Sequence, residues 1–112
     1  MSVTLSVIIS AKTAENTQTT QYTSTLAQTI IDKLTATNYS ASAATISVNL
    51  VPPAGSPGND NLIVKTKTLQ PSETYTFPEI VGHALSVGGS ISTIASAASS
   101  INIRATGRLV SQ

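Results

Sequence analysis

"NLVPPAGSPGNDNLIV" (residues 49–64) sets two apolar runs on either side of a stretch built from Pro, Gly, Ser, Asn and Asp. The left run closes "ATISVNLV" (residues 44–51), where Ile46, Val48 and Leu50 alternate with Thr45, Ser47 and Asn49. The right run opens "LIVKTKTL" (residues 62–69), with Leu62, Val64, Thr66 and Thr68 on one face and Ile63, Lys65, Lys67 and Leu69 on the other. Period-two alternation bounded by turn residues marks strands. The segment between them reads as a hairpin or sheet-crossing loop whose entry is stiffened by Pro52 and Pro53.

Two chemical readings of "AGSPGNDN" fail on residue type. A phosphate-binding glycine loop needs a Lys–Ser/Thr step opening a helix, and this loop leads into a strand. A calcium loop needs acidic ligands at alternating positions ending in Glu, and Asp60 is the only charged residue here.

The same alternation runs outward in both directions. "SVTLSVII" (residues 2–9) sets Val3, Leu5, Val7 and Ile9 against small polar residues. Residues 10–28 are Thr-rich and poor in apolar anchors. They read as an extended arm or loop, with brief pairing at Gln21–Thr23. "TIIDKLTATN" (residues 29–38) offers Ile30, Leu34 and Ala36 on one face, interrupted by Asp32. "YSASA" is a turn, so this run and residues 44–51 are expected to form an antiparallel pair.

Downstream, Pro71 suits a β-turn, and "TYTF" (residues 74–77) places Tyr75 and Phe77 as aromatic core anchors. In "PEIVGHAL", Pro78 and Glu79 fit the start of one short helical turn, which Gly82 keeps short. Residues 91–100 and 101–110 supply two more strands, with Ile101, Ile103 and Ala105 on one face. Six to eight short strands at roughly ten-residue intervals predict an all-β fold, a small antiparallel β-sandwich of jelly-roll-like form. The expected organisation is an N-terminal strand and arm over residues 1–21 and one sandwich domain over residues 22–112.

Composition agrees. The 112 residues allow one modest core. Charged residues are 10% and aromatic residues 4%, while Ser and Thr are roughly three in ten. Recurrent apolar alternation and 40% hydrophobic content argue against a disordered tail. The six Lys and Arg do not form a stripe with stacking aromatics, so no direct nucleic-acid contact is expected. Absence of cysteine excludes disulfides and thiolate chemistry, and mildly favours assembly in a cytoplasm. The first residues lack the basic and apolar regions of a signal peptide, and no run is long enough for a membrane-spanning helix.

Catalytic chemistry finds little material. Glu15, Asp32, Asp60, Glu73, Glu79 and His83 are scattered through turns and one strand, where such residues are ordinarily solvated. No strained GxSxG elbow accompanies the many serines. Glu79 and His83 are four apart, yet two ligands do not make a metal site. No catalytic, cofactor or metal residue is expected.

Four motifs carry a resemblance: "IDKLTATN" (31–38), "SVNLVP" (47–52) before the Gly-rich loop, "ETYTFPEIVG" (73–82) and "ASAASSINIRATG" (95–107). Together they resemble small tailed-phage virion proteins, and length and composition look similar to the capsid decoration, or stapling, proteins of epsilon-fifteen-like short-tailed phages. The match runs from about Thr20 to Val110. It implies a homo-oligomer, dimer or trimer, bound outside the phage head to the major capsid protein, after assembly in the host cytoplasm.

The expected contacts are Val3, Leu5, Val7, Ile9, Lys12 and Tyr22 in and beside the arm. They are joined by Pro52, Pro53, Pro57 and Asp60 in the loop, and by Lys65 and Lys67 as guards of a strand edge. Removal of residues 1–20 is expected to weaken attachment and leave the domain folded. The alternatives are a head–tail connector or tail adaptor, and a glycan- or receptor-binding module. The latter is disfavoured by having only Tyr22, Tyr39, Tyr75 and Phe77 as aromatic residues.

Overall fold

A computed structural model of the protein describes residues 2–111. It contains nine strands: β1 (Ser2–Thr13), β2 (Thr19–Thr23), β3 (Gln28–Asn38), β4 (Ala44–Val51), β5 (Leu62–Leu69), β6 (Thr74–Tyr75), β7 (Ala84–Leu85), β8 (Ser90–Ala95) and β9 (Ile101–Ser111). They form two antiparallel sheets. The first runs β1-β9-β3, with β6 and β7 both pairing the far edge of β3; the second runs β2-β8-β4-β5.

The pairing is nested. β4 pairs β5, β3 pairs β6 and β7, β2 pairs β8, and β1 pairs β9. With β6 and β7 counted as one interrupted strand, the chain is a single long hairpin rolled into two four-stranded layers, which is a jelly roll. Its apex is the loop Pro52–Asn61. The stretch that sets the fold is thus the turn of the whole ribbon.

The core lies between the layers. Ile31, Leu34 and Ala36 of β3 and Ile101, Ile103 and Ala105 of β9 face Ile46 and Val48 of β4 and Ile91 of β8, all essentially buried. Phe77 is fully buried, and its ring meets Tyr75 edge-on at a centroid distance of 4.8 Å.

Several expectations need correction. β3 and β4 are not a hairpin: they lie in opposite sheets, and the chain crosses over between them at Tyr39–Ala43. The buried side chain of Asn38 directs this crossing. Its Nδ2 donates to the carbonyls of Ser42 and Leu69, both at 2.9 Å, and its Oδ1 accepts from the backbone N–H and hydroxyl of Ser40.

On β3, a register shift between Ile31 and Lys33 changes the phase, so Ile31 joins the core and Ile30 is left half-buried. β5 also changes phase. Thr66 sits at φ 46, and its backbone N–H donates to the hydroxyl of the buried Ser47 at 2.8 Å. Val64 and Leu69 are therefore both buried although five positions apart.

The N-terminal segment is extended but built into both layers. Residues 2–13 pair β9, the Ala14 backbone N–H donates to Ile101 at 2.8 Å, and β2 enters the second sheet. Ile8, Ile9 and Ala14 belong to the core. Deleting residues 1–20 would remove all of β1 from the first sheet, Thr19 and Thr20 of β2 from the second, and Ile8, Ile9 and Ala14 from the core, so the remaining domain is expected to lose stability.

The helical turn expected after Pro78 is a hydrogen-bonded turn rather than a helix. The N–H groups of Ile80 and Val81 both donate to the Phe77 carbonyl, at 2.9 and 3.2 Å. Gly82, at φ 90, reverses the chain there and lets its N–H reach the Ile31 carbonyl at 2.7 Å.

Candidate functional site: an uncovered sheet face and its edge

The two layers treat their outer faces differently. On the second sheet, the outward-pointing Ser47 and Asn49 of β4 are themselves buried. Asn49 Nδ2 donates to the Gly58 carbonyl at 3.0 Å and to Asn61 Oδ1 at 2.7 Å. Asn61 Nδ2 in turn donates to the Ser56 carbonyl at 2.9 Å. The apex loop is therefore folded back over its own sheet, held by the Asn residues at its two ends. Pro52, Pro53, Pro57 and Asp60 remain exposed upon it.

The outer face of the first sheet has no such cover among the described residues. Val3, Leu5 and Val7 project from β1 at 52%, 78% and 48% exposure. Across the ladder they lie opposite Val110, Arg108 and Thr106 of β9. The next row is β3, where Ile30 is the partner of Arg108. Here Arg108 meets Asp32 side on: Nε is 3.0 and 3.1 Å from the two carboxylate oxygens, and Nη2 is 3.0 Å from Oδ1. The result is an apolar ladder along the sheet margin, beside an ion pair that neutralises its own charge.

The other expected contact residues disperse. Ile9 follows a register shift after Val7 and turns into the core at 2% exposure. Lys12 is half-buried and pairs with Glu15 at 2.8 Å. Tyr22 packs against the core, and its hydroxyl shares a hydrogen bond with Thr29 at 2.7 Å.

Lys65 and Lys67 do not act as a pair. The change of phase at Thr66 leaves Lys65 exposed, while Lys67 lies opposite the buried Ile46 and places its ammonium 4.7 Å from the centre of the Tyr75 ring. That geometry is a cation–π contact with an aliphatic stem laid on apolar surface. Alternation alone could not reveal it, since the bulge that moves Lys67 is a tertiary feature.

Three titratable groups are perturbed, each by a local hydrogen bond. Glu15 is pulled from 4.5 down to about 2, first by the Lys12 ammonium and then by the Gln21 amide, which donates at 2.9 Å. The Tyr75 hydroxyl donates to both oxygens of Glu79, at 2.6 and 2.5 Å. This holds Tyr75 up at about 12 and lowers Glu79. The carboxylate of Glu79 is thereby committed to Tyr75.

A shallow groove joins the apex loop to the segment around β7, lined by Pro52, Pro53, Asp60, Ile63, His83 and Leu85 among others. Among the described residues, no group of three or more His, Cys, Asp or Glu is placed to hold a metal, and no helix is long and apolar enough to cross a membrane.

No protein-family model matches the chain, and no curated protein matches it either. What fold and site define is a class: a small jelly roll with one covered and one uncovered outer face.

Proposed function

We propose that this chain is a non-enzymatic structural protein of a phage virion, a decoration protein that binds the outside of the head and clamps neighbouring major capsid proteins. The observation that carries the reading is the uncovered face of the first sheet, with Val3, Leu5 and Val7 exposed in one line. An apolar ladder beside a neutralised ion pair suits broad contact with another protein surface.

The four motifs resembling tailed-phage virion proteins point the same way, and jelly rolls recur in capsid domains. A decoration protein gains from repetition. Each copy contributes a modest contact, and contacts linked across a shell act by avidity.

Electron cryomicroscopy of virions assembled with this chain tests the reading. Density of this jelly roll on the outer head surface, bridging adjacent capsid subunits, is the expected result. Density confined to the neck or tail, or none in the particle, overturns it.

A further inference from the structure

The two sheets have four edges, and three of them are blunted. The β5 edge carries Lys65 and Lys67 and is broken by the bulge at Thr66. β2 is five residues long, with a register shift between Thr20 and Tyr22. β6 and β7 are two residues each, separated by a turn that contains Pro78. Short strands, bulges, prolines and lysines are the devices by which sheets avoid joining edge to edge.

β1 lacks them along half its length. From Ser2 to Val7 it pairs β9 residue for residue, without a shift, from Ser111 to Thr106. The run "SVTLSV" has no charge, no proline and no glycine. Its other side has no strand partner among the described residues.

The run is also nearly palindromic. Around Leu5, Val3 mirrors Val7 and Thr4 mirrors Ser6. A strand pairing antiparallel with its own copy about a two-fold axis meets its own sequence reversed, so a palindrome is self-complementary by construction. We propose that β1 pairs with the β1 of a second copy, antiparallel and centred on Leu5, joining the first sheets of two molecules into one continuous sheet.

In that register Leu5 faces its own copy, Val3 faces Val7 and Thr4 faces Ser6. The exposed apolar side chains gain cross-strand neighbours on the side where they now have none, and hydroxyls meet hydroxyls on the opposite face. Electrostatics permit it. Arg108, the neighbour of Leu5 on β9, already carries Asp32, and Lys12 lies outside the overlap.

Pairing through β1 supplies the homo-oligomer of the decoration reading with a geometry, but it is tested on the isolated protein. A neck or tail location would leave it standing, and a monomer would leave the location of the chain open.

The test is sedimentation of the untagged full chain over a concentration series, together with Leu5→Lys. Leu5 is the most exposed residue of the ladder, so the variant keeps its fold by circular dichroism while setting two ammonium groups opposite each other. A wild-type dimer that becomes monomeric in Leu5→Lys is expected.

Register is read with thiols, since the chain has no cysteine of its own. Leu5→Cys alone should give a covalent dimer with a short thiol-to-thiol cross-linker. Val3→Cys and Val7→Cys should do so efficiently only when mixed, because opposed residues lie about 4.5–5.5 Å apart and their next neighbours on the same face lie farther away. A wild-type monomer at every concentration, an oligomer insensitive to Leu5→Lys, or cross-linking of Val3→Cys with itself in preference to Val7→Cys would each overturn the proposal.

Discussion

The side-chain amide of Asn38, at the end of β3, donates to the backbone carbonyl of Leu69, at the end of β5, across 2.9 Å. This one bond ties the first sheet to the second. Every polar atom of the Asn38 side chain is used, and the residue is completely buried. Asn38→Ala strands the Leu69 carbonyl and the Ser40 N–H, and is expected to lose about 2–4 kcal/mol in urea unfolding.

Asn38→Asp keeps the shape but replaces two donors with a buried acid. Its folded-state pKa should be raised, so the variant should recover part of its deficit at acid pH and lose it as pH rises through that value. Urea midpoints of this variant and wild type at pH 4 and pH 7 check the sign.

Gly107 is required by space and Gly82 by backbone. A Cβ on Gly107 would collide with the Ile30 carbonyl oxygen of the adjacent strand, whereas one on Gly82 meets nothing within 4 Å but must be carried at φ 90. Gly107→Ala should therefore cost about 2 kcal/mol or more, and Gly82→Ala about 1 kcal/mol. Thermal melts of the two variants should rank in that order.

Acid stability should owe something to Glu15. Its pKa falls from 4.5 to about 2 on folding, through Lys12 and Gln21. A depressed carboxyl stabilises the fold above its unfolded pKa, and the gain is lost as pH falls from about 4.5 through about 2. The side chain is 40% exposed, so solvent screening holds the effect to about 1 kcal/mol or less. Glu15→Gln should flatten the stability profile over that window and leave its shape above pH 5 unchanged.

Tyr75 provides a spectroscopic reading of the contact beneath Lys67. Glu79 holds its phenol at about 12 instead of 10.0. In Glu79→Gln the phenol should ionise at lower pH, seen as an earlier rise of phenolate absorbance. Since the phenol's folded pKa is raised and the carboxyl's is lowered, this contact stabilises the protein fully between the ordinary carboxylate range and pH 10; it fades as pH rises through about 12 and again as Glu79 protonates in acid.

The uneven legibility of the chain has a physical pattern. Strand positions were readable because alternation is local: β4, β5 and β9 fall where Ile46, Val64 and Ile101 put them. Phase was readable only as far as the next bulge. Beyond the shift at Ile31–Lys33 and the left-handed Thr66, inward and outward exchange, which separates Ile30 from Leu34 and Ala36, and Lys67 from Lys65. Of the candidate contacts, Val3, Leu5 and Val7 do form one exposed line, while Ile9, two positions on, is buried by the shift that ends the regular run.

From residue order alone came the all-β class, the strand-forming runs and the Pro- and Gly-rich stretch at 52–61, since backbone preference and side-chain alternation act over a few residues. Which strands pair, that 52–61 is the apex of one rolled ribbon, and that the N-terminal strand lies at the edge of the first sheet were decided only in three dimensions. Those outcomes depend on burying one face of each strand against partners as far as 109 residues away, as Ser2 is from Ser111. No local pattern encodes that choice.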